Sequence, residues 1–242
     1  YNISVGTNSM QISLYGLGEN MAEAQKLMEQ VVNHAKVDRD AYKKFVEQEL
    51  KSRRDQKLSQ KANFRALQVY GQYGEYNPLR NVPDSTELVS ADPQKLIDMV
   101  ADLKNYKHTV LYYGPMEVKD MTKVVDKYHA LPKKFSADPE SRPYKMELTP
   151  ANEVVITPYK AKNIYMYQYH NEGKQWKPEN APVEALFNEY FGGGMNTVVF
   201  QELRETRGLA YNAAALYAMP ALKNQPEFFY THIISQNDKM MD

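Results

Sequence analysis

Arg204 and Tyr211 are the residues whose types and spacing best fit a binding function. They lie seven positions apart in the stretch LRETRGLAY. A guanidinium offers several N–H donors and a phenol one hydroxyl on a stiff ring, so the two together suit a carbonyl oxygen of a bound peptide. The structural alternative is that Arg204 forms an ion pair with Glu205 or a neighbouring helix, and that Tyr211 only packs.

The elements around Gly208 explain how these two side chains can meet. The pattern predicts a helix from Asn196, with Gly208 supplying the left-handed residue that ends it and Leu209 beginning a strand. Arg204 then lies in the last turn of the helix and Tyr211 lies early in the strand. Because the chain reverses direction at Gly208, we expect the two side chains to converge on one spot.

Three consecutive glycines, Gly192–Gly194, precede this helix. A phosphate-binding loop normally follows a strand and carries a lysine and a hydroxyl behind its glycines. Here the glycines follow a predicted helix and lead into MNT. The sequence therefore favours a helix end and a tight turn, with Asn196 or Thr197 capping the next helix.

The sequence contains none of the spacings that we associate with metal ligands or nucleophiles. There is no cysteine, no HxxEH, and no GxSxG or SxxK in a strand-turn-helix context. No two histidines are three or four residues apart, so no helical ligand pair exists. We therefore expect no catalytic residue, no metal site and no stoichiometric zinc in this stretch. The five histidines are His34, His108, His129, His170 and His232.

Charge and hydropathy argue against several classes of partner. Thirty basic residues balance thirty acidic ones, which indicates neither nucleic acid nor an anionic membrane as a partner. The basic run 51–61 contains Asp55, and its mixed charge is typical of a solvated helix face. Glu202 and Glu205 are likewise interpreted as solvated residues on a charged helix face. No run approaches the roughly 18 apolar residues of a membrane span. A chain without cysteine is compatible with cytoplasm and periplasm alike.

Periodicity predicts an α+β fold, with a mainly antiparallel sheet flanked by helices. The proline-rich stretch 132–150 is typical of a linker, and it divides residues 1–131 from residues 151–242. Because the chain lacks an initiator methionine, we expect it to be part of something longer. The predicted strands are SMQISLYG, HTVLYYGP, EVVITPY, NIYMYQYH, LAYNAAALYAM and EFFYTHIIS. Helices are predicted from Asn20, Asp38, Gln60 and Asp92, around Val118, and from Val183 and Asn196.

The stretch FGGGMNTVVFQELRETRGLAY resembles the signature of the carboxy-terminal half of the pitrilysin/insulinase family of zinc metallopeptidases, which includes mitochondrial processing peptidases and presequence proteases. Its pieces GGGM, FQELRE and RGLAY match in order and spacing. NPLR after long helices, LKNYKHTVLYYGP as the closing strand of a repeat, and a linker before a fresh pair of strands match more loosely. The resemblance covers the whole chain.

The resemblance implies related α+β repeats that close like a clam around a peptide. In such proteins the first repeat carries zinc and HxxEH, and a later repeat supplies an arginine and a tyrosine that hold substrate backbone near the scissile bond. Those two roles correspond to Arg204 and Tyr211. Because HxxEH and the downstream glutamate ligand are missing, the resemblance implies a non-catalytic, substrate-binding portion of a zinc metalloendopeptidase, inactive alone. The alternative is a zinc-free structural or partner subunit of the same family.

The same resemblance predicts the organisation and the partners of the chain. Residues 1–131 would be the second half of one repeat, and residues 151–242 the first half of the following repeat. The implied partners are a peptide substrate and the zinc-bearing repeat of the same or a partner chain, with zinc expected only in the parent enzyme. Because the repeats are related, we also predict one composite sheet that joins QISLYG, HTVLYYG and LAYNAAALYAM. The alternative is that each half buries its open face against a second chain or missing segments.

Overall fold

A computed structural model describes residues 1–6, 9–220 and 225–239. The chain forms two compact units, each built from two separate stretches of sequence. The first unit contains Tyr1–Gln48 and Ser85–Ser141, and the second contains Glu49–Asp84 and Arg142–Asp242. The sequence-based division assigns residues 1–131 and 151–242 to halves of two related repeats. Compact units do not test whether two segments are related, so this division stays a prediction.

Both units combine helices with short antiparallel strands, and this confirms the predicted α+β class. The helices are α1 (Met21–His34), α2 (Arg39–Lys57), α3 (Gln60–Tyr73), α4 (Ser85–Ser90), α5 (Pro93–Asp102), α6 (Val118–Tyr128), α7 (Ala181–Phe191) and α8 (Val198–Phe200). The strands are β1 (Asn2–Val5), β2 (Met10–Ser13), β3 (Asn163–His170), β4 (Ala210–Ala218) and β5 (Phe228–Gln236). Short 3₁₀ turns occupy Gly18–Asn20, Leu103–Asn105, Pro178–Asn180 and Asn237–Lys239.

The start of α5 has a side-chain cap, whereas the start of α1 has none. Asp92 accepts a hydrogen bond from the backbone N–H of Gln94 at 3.2 Å, and Pro93 occupies the first turn of α5. Asn20 precedes α1 as predicted, but its side chain makes no capping hydrogen bond. In the first unit α1 packs against α5 and α6.

The second unit contains a three-stranded antiparallel sheet with strand order β3-β5-β4. α3 covers the face that carries the alternating tyrosines of β3, where the ring of Phe64 lies 5.3 Å from that of Tyr165. α7 covers the opposite face, where the ring of Phe187 lies 6.4 Å from that of Phe229. Aromatic side chains thus pack on both faces of the sheet whose β4 edge carries Tyr211.

Two predicted strands are wrong. HTVLYYGP and EVVITPY have no regular secondary structure, and most of their apolar side chains are exposed, with Leu111 at 88%. Alternation gives such segments strand propensity, but a strand forms only where a partner supplies the backbone hydrogen bonds. Neither segment finds that partner here.

The predicted composite sheet is also wrong. β2, from QISLYG, pairs with β1 in a two-stranded sheet, while β4, from LAYNAAALYAM, pairs with β5 in the other sheet. β2 finds its partner nearby in sequence, since Asn2 lies opposite Ser13 and Val5 opposite Met10. Within the described ranges, no helix combines the length and the apolar character needed to cross a membrane.

Candidate functional site

Arg204 lies on a helical turn of unusual geometry. The predicted helix begins as α8 at Val198, preceded by Thr197, and then widens into a π-helical turn over Gln201–Thr206. The N–H of Arg207 bonds to the carbonyl of Glu202, five residues back, at 3.1 Å. π-turns of this kind occur frequently at functional sites.

The Arg204 guanidinium lies over two aromatic rings. Its central carbon is 4.8 Å from the ring centroid of Phe200 and 5.5 Å from that of Tyr211, both within cation–π range. Its Nε is 3.5 Å from the Glu205 carboxylate, a loose and exposed ion pair that contributes little free energy. In the described part of the chain, no acceptor is found for a hydrogen bond from its terminal nitrogens. These N–H groups are therefore oriented by the rings and available as donors.

Gly208 reverses the chain between the two residues, as predicted. Its φ of 60° lies in the left-handed region, and its N–H bonds to the carbonyl of Arg204 at 3.1 Å. Two side chains from the end of the sheet hold the turn, because Lys239 Nζ donates to the carbonyl of Gly208 at 2.8 Å and Ser235 Oγ donates to that of Leu209 at 2.5 Å. Sequence reasoning missed both side chains, since neither belongs to a recognisable motif.

Tyr211 is the extra residue of a β-bulge. Ala210 lies opposite Ser235 and Asn212 lies opposite Ile234, so Tyr211 has no partner on β5. Bulges redirect side chains at the edge of a sheet. Tyr211 is 74% exposed, and among the described residues its hydroxyl has no hydrogen-bond partner. The bulge thus leaves an accessible phenol beside the Arg204 guanidinium.

A pocket of about 340 Å³ lies beside Tyr211 in the same unit. It joins the turn at Gly208 to the ends of β3 and β5, and its lining is partly polar. The lining residues are Asn163, Gly208, Leu209, Ala210, Tyr211, Ser235, Gln236 and Lys239.

The glycine run has the structural role that the sequence favoured. Gly192 ends α7, and its carbonyl accepts from the N–H of Ala215 in β4 at 3.3 Å. A Cβ on Gly192 would lie 2.3 Å from the carbonyl oxygen of Ala215, so only glycine fits. Thr197 occupies the predicted cap position, but its hydroxyl donates to the carbonyl of Gly194 at 2.7 Å and does not cap α8. The run therefore attaches the end of α7 to the edge strand that carries Tyr211.

A buried carboxyl anchors the other end of α7. Glu184 accepts a hydrogen bond from the Trp176 indole at 3.2 Å. Burial raises the pKa of Glu184, and its contact with the Glu227 carboxyl raises that pKa further. The contact between the two carboxyls joins α7 to the residue before β5.

Residues 92–242 match the family described as "Peptidase M16 inactive domain". The chain belongs to the peptidase M16 inactive-domain family. This confirms the resemblance to the carboxy-terminal, non-catalytic part of the pitrilysin/insulinase metallopeptidases. A comparison with curated proteins found no match.

Solved structures show the same fold as this M16 chain. A peptidase M16 inactive domain from Pseudomonas fluorescens is 16% identical with a TM-score of 0.60, and the match covers 90% of this chain and 52% of that one. A protease from Helicobacter pylori is 14% identical with a TM-score of 0.60, covering 90% and 53%. A variant of the ferredoxin protease FusC in complex with Arabidopsis ferredoxin is 14% identical with a TM-score of 0.62, covering 92% and 24%. This chain thus spans about half the length of the first two structures.

The other residues considered for chemistry in this M16 chain are Glu202 and the histidines. Glu202 pairs with Arg207 at 2.7 Å on an exposed helix face. Among residues 1–6, 9–220 and 225–239, no group of three or more histidines or carboxylates could hold a metal ion. The histidines are not all scattered, however, because the Nε2 atoms of His108 and His129 are 2.8 Å apart. Because the two residues are 21 positions apart in the sequence, a search for helically spaced histidines could not predict this contact.

Proposed function

We propose that this chain is the substrate-binding, non-catalytic portion of a zinc metalloendopeptidase that cleaves peptides inside a clam-like chamber. The observation that carries the proposal is the convergence of Arg204 and Tyr211 across the turn at Gly208, with the guanidinium 5.5 Å from the tyrosine ring. Both side chains present hydrogen-bond donors on an accessible surface. Donors in that arrangement suit the carbonyl oxygens of an extended peptide, which every peptide sequence provides.

The local backbone supports this role. Arg204 lies on a π-turn and Tyr211 on a β-bulge, two irregularities that meet at one turn. Cation–π packing pre-organises the guanidinium, and a pre-organised group loses less entropy when it binds. The neighbouring pocket gives room for a substrate side chain beside the bound backbone.

Hydrolysis would come from the zinc-bearing repeat of the same or a partner chain. The described residues contain no donor set that fits a catalytic zinc. When bound in that repeat, zinc would polarise the peptide carbonyl and activate water. The contribution of this chain would be to orient the peptide. The similar ferredoxin protease, solved with ferredoxin, supports a protein segment as the kind of substrate.

Kinetics of the peptidase that contains this chain, or of its complex with a zinc-bearing partner, test the proposal. We expect Arg204→Ala to remove a charge-assisted hydrogen bond of about 1.5–3 kcal/mol and to lower kcat/KM by about one to two orders of magnitude. Tyr211→Phe removes a neutral hydrogen bond, so we expect a loss of about 2- to 12-fold.

The matched controls are an exposed arginine and an exposed tyrosine that take no part in the proposed binding. Arg207→Ala removes an exposed arginine from the same turn, and Tyr190→Phe removes an exposed hydroxyl from α7. Both controls should cleave at the wild-type rate. Wild-type rates for Arg204→Ala and Tyr211→Phe would contradict the binding role and favour simple packing. A different result would favour a zinc-free structural or partner subunit. In that case the wild-type protein cleaves no peptide, and the two variants lose only their assembly with the partner.

A further inference from the structure

We propose that His108 and His129 form a binding site for a divalent cation of the Zn²⁺ or Cu²⁺ class. The two rings stand edge to face, with centroids 4.9 Å apart and an interplanar angle of 89°. Their Nε2 atoms point at each other across 2.8 Å. Imidazole nitrogen is a preferred ligand of these cations.

The other nitrogen of each ring is already committed to an oxygen acceptor. His129 Nδ1 is 2.6 Å from the Glu29 carboxylate, and His108 Nδ1 is 2.7 Å from the carbonyl oxygen of Tyr106. In the arrangement that we propose, each Nδ1 donates its hydrogen to that oxygen. Each Nε2 is then left with a lone pair. Histidines that ligate metals show this pattern, with the second nitrogen donating to a carboxylate or a carbonyl.

Two lone pairs that face each other at this distance repel, so a proton or a metal cation between them would stabilise the pair. Zinc–nitrogen bonds of about 2.0–2.1 Å at a tetrahedral angle place two ligand nitrogens about 3.3 Å apart. The observed gap of 2.8 Å would therefore have to open by about 0.5 Å. His108 can supply this shift, because it is exposed and lies in the irregular segment before α6. His129 is more buried and would stay in place.

The charges around the pair favour a cation. Glu29 contributes a negative charge, and His129 directly follows α6, where the helix end carries partial negative charge. Lys104 offsets part of this, since its ammonium contacts Asn33, whose amide donates to the second Glu29 oxygen at 3.3 Å.

The site has two protein ligands. No third histidine or carboxylate joins the pair within the described ranges, so solvent or another molecule would complete the coordination. The sequence-based expectation of no stoichiometric zinc relied on the spacing of the histidines, and this proposal departs from it because His108 and His129 are in contact.

Metal titration of the 242-residue chain tests the proposal, with Zn²⁺ followed by calorimetry and Cu²⁺ by electron paramagnetic resonance. We expect one saturable site whose copper spectrum shows two nitrogen donors. His108→Ala and His129→Ala should each abolish it. Glu29→Gln should weaken binding by about 10- to 100-fold, because the carboxylate orients the His129 ring. The control His170→Ala should change nothing, since His170 contacts Thr149 and Glu172 instead.

Three outcomes would overturn the proposal. The first is undiminished binding in His108→Ala, a variant of an exposed residue whose folding circular dichroism can verify. The second is equal loss of binding in His170→Ala. The third is a wild-type chain that binds neither cation. Nitrogen NMR that shows one proton shared by the two rings would then identify the pair as a proton bridge. If His108→Ala fails to fold, His108→Gln provides the same comparison.

Discussion

Gly192→Ala should destabilise the second unit strongly, because this glycine touches the backbone of the edge strand. A Cβ at this position would lie 2.3 Å from the carbonyl oxygen and 2.5 Å from the nitrogen of Ala215. Backbone atoms cannot rotate away, so α7 and β4 must separate. Overpacking costs about 1–3 kcal/mol. Loss of the Ala215–Gly192 hydrogen bond adds about 0.5–1.5 kcal/mol. We expect the free energy of unfolding to fall by about 2–4 kcal/mol.

Gly194→Ala is the matched control within the same glycine run. No atom lies within 4 Å of its Cβ position. The substitution should change the free energy of unfolding by less than about 1 kcal/mol. Any change should be an increase, because alanine lowers the conformational entropy of the unfolded chain. Urea unfolding, compared at equal m-values, measures both variants. Equal stabilities for the two alanine variants would refute the close approach between α7 and β4.

Two further predictions concern the turn at Gly208 and the buried Glu184. Gly208→Ala should cost about 1–2 kcal/mol in urea unfolding from left-handed backbone strain alone, since its Cβ would meet no atom within 4 Å; an unchanged midpoint would contradict the reversal. The raised pKa of Glu184 means that its stabilising effect is complete below the ordinary glutamate pKa and is lost as pH rises through the raised folded pKa. Glu184→Gln should therefore flatten the decline of unfolding free energy in that range, and identical pH profiles for variant and wild type would contradict the raised pKa of Glu184.

The sequence predicts features that depend on local chemistry. Asp92 before a proline starts α5, and Gly208 after a charged helix supplies the left-handed residue. The convergence of Arg204 and Tyr211 follows from that reversal alone. These features are predictable because their causes lie within a few residues.

Features that depend on distant partners were missed. The bulge at Tyr211 arises from the register of β4 on β5, and the π-turn at Arg204 has no signature in residue type. HTVLYYGP has strand propensity but forms no strand, because it has no neighbouring strand to pair with. The contact between His108 and His129 required the packing of the first unit, which helical spacing does not report.

In the proposed function, Arg204 holds a carbonyl oxygen of the bound peptide. The direct measurement compares a normal peptide substrate with one in which a single amide is replaced by a fluoroalkene that lacks that oxygen, for the wild-type peptidase and for Arg204→Ala. We expect the replacement, at one position near the scissile bond, to lower wild-type kcat/KM by about one to two orders of magnitude. In Arg204→Ala the same replacement should cost little more. Equal losses in both proteins, at every position tested, would contradict the claim.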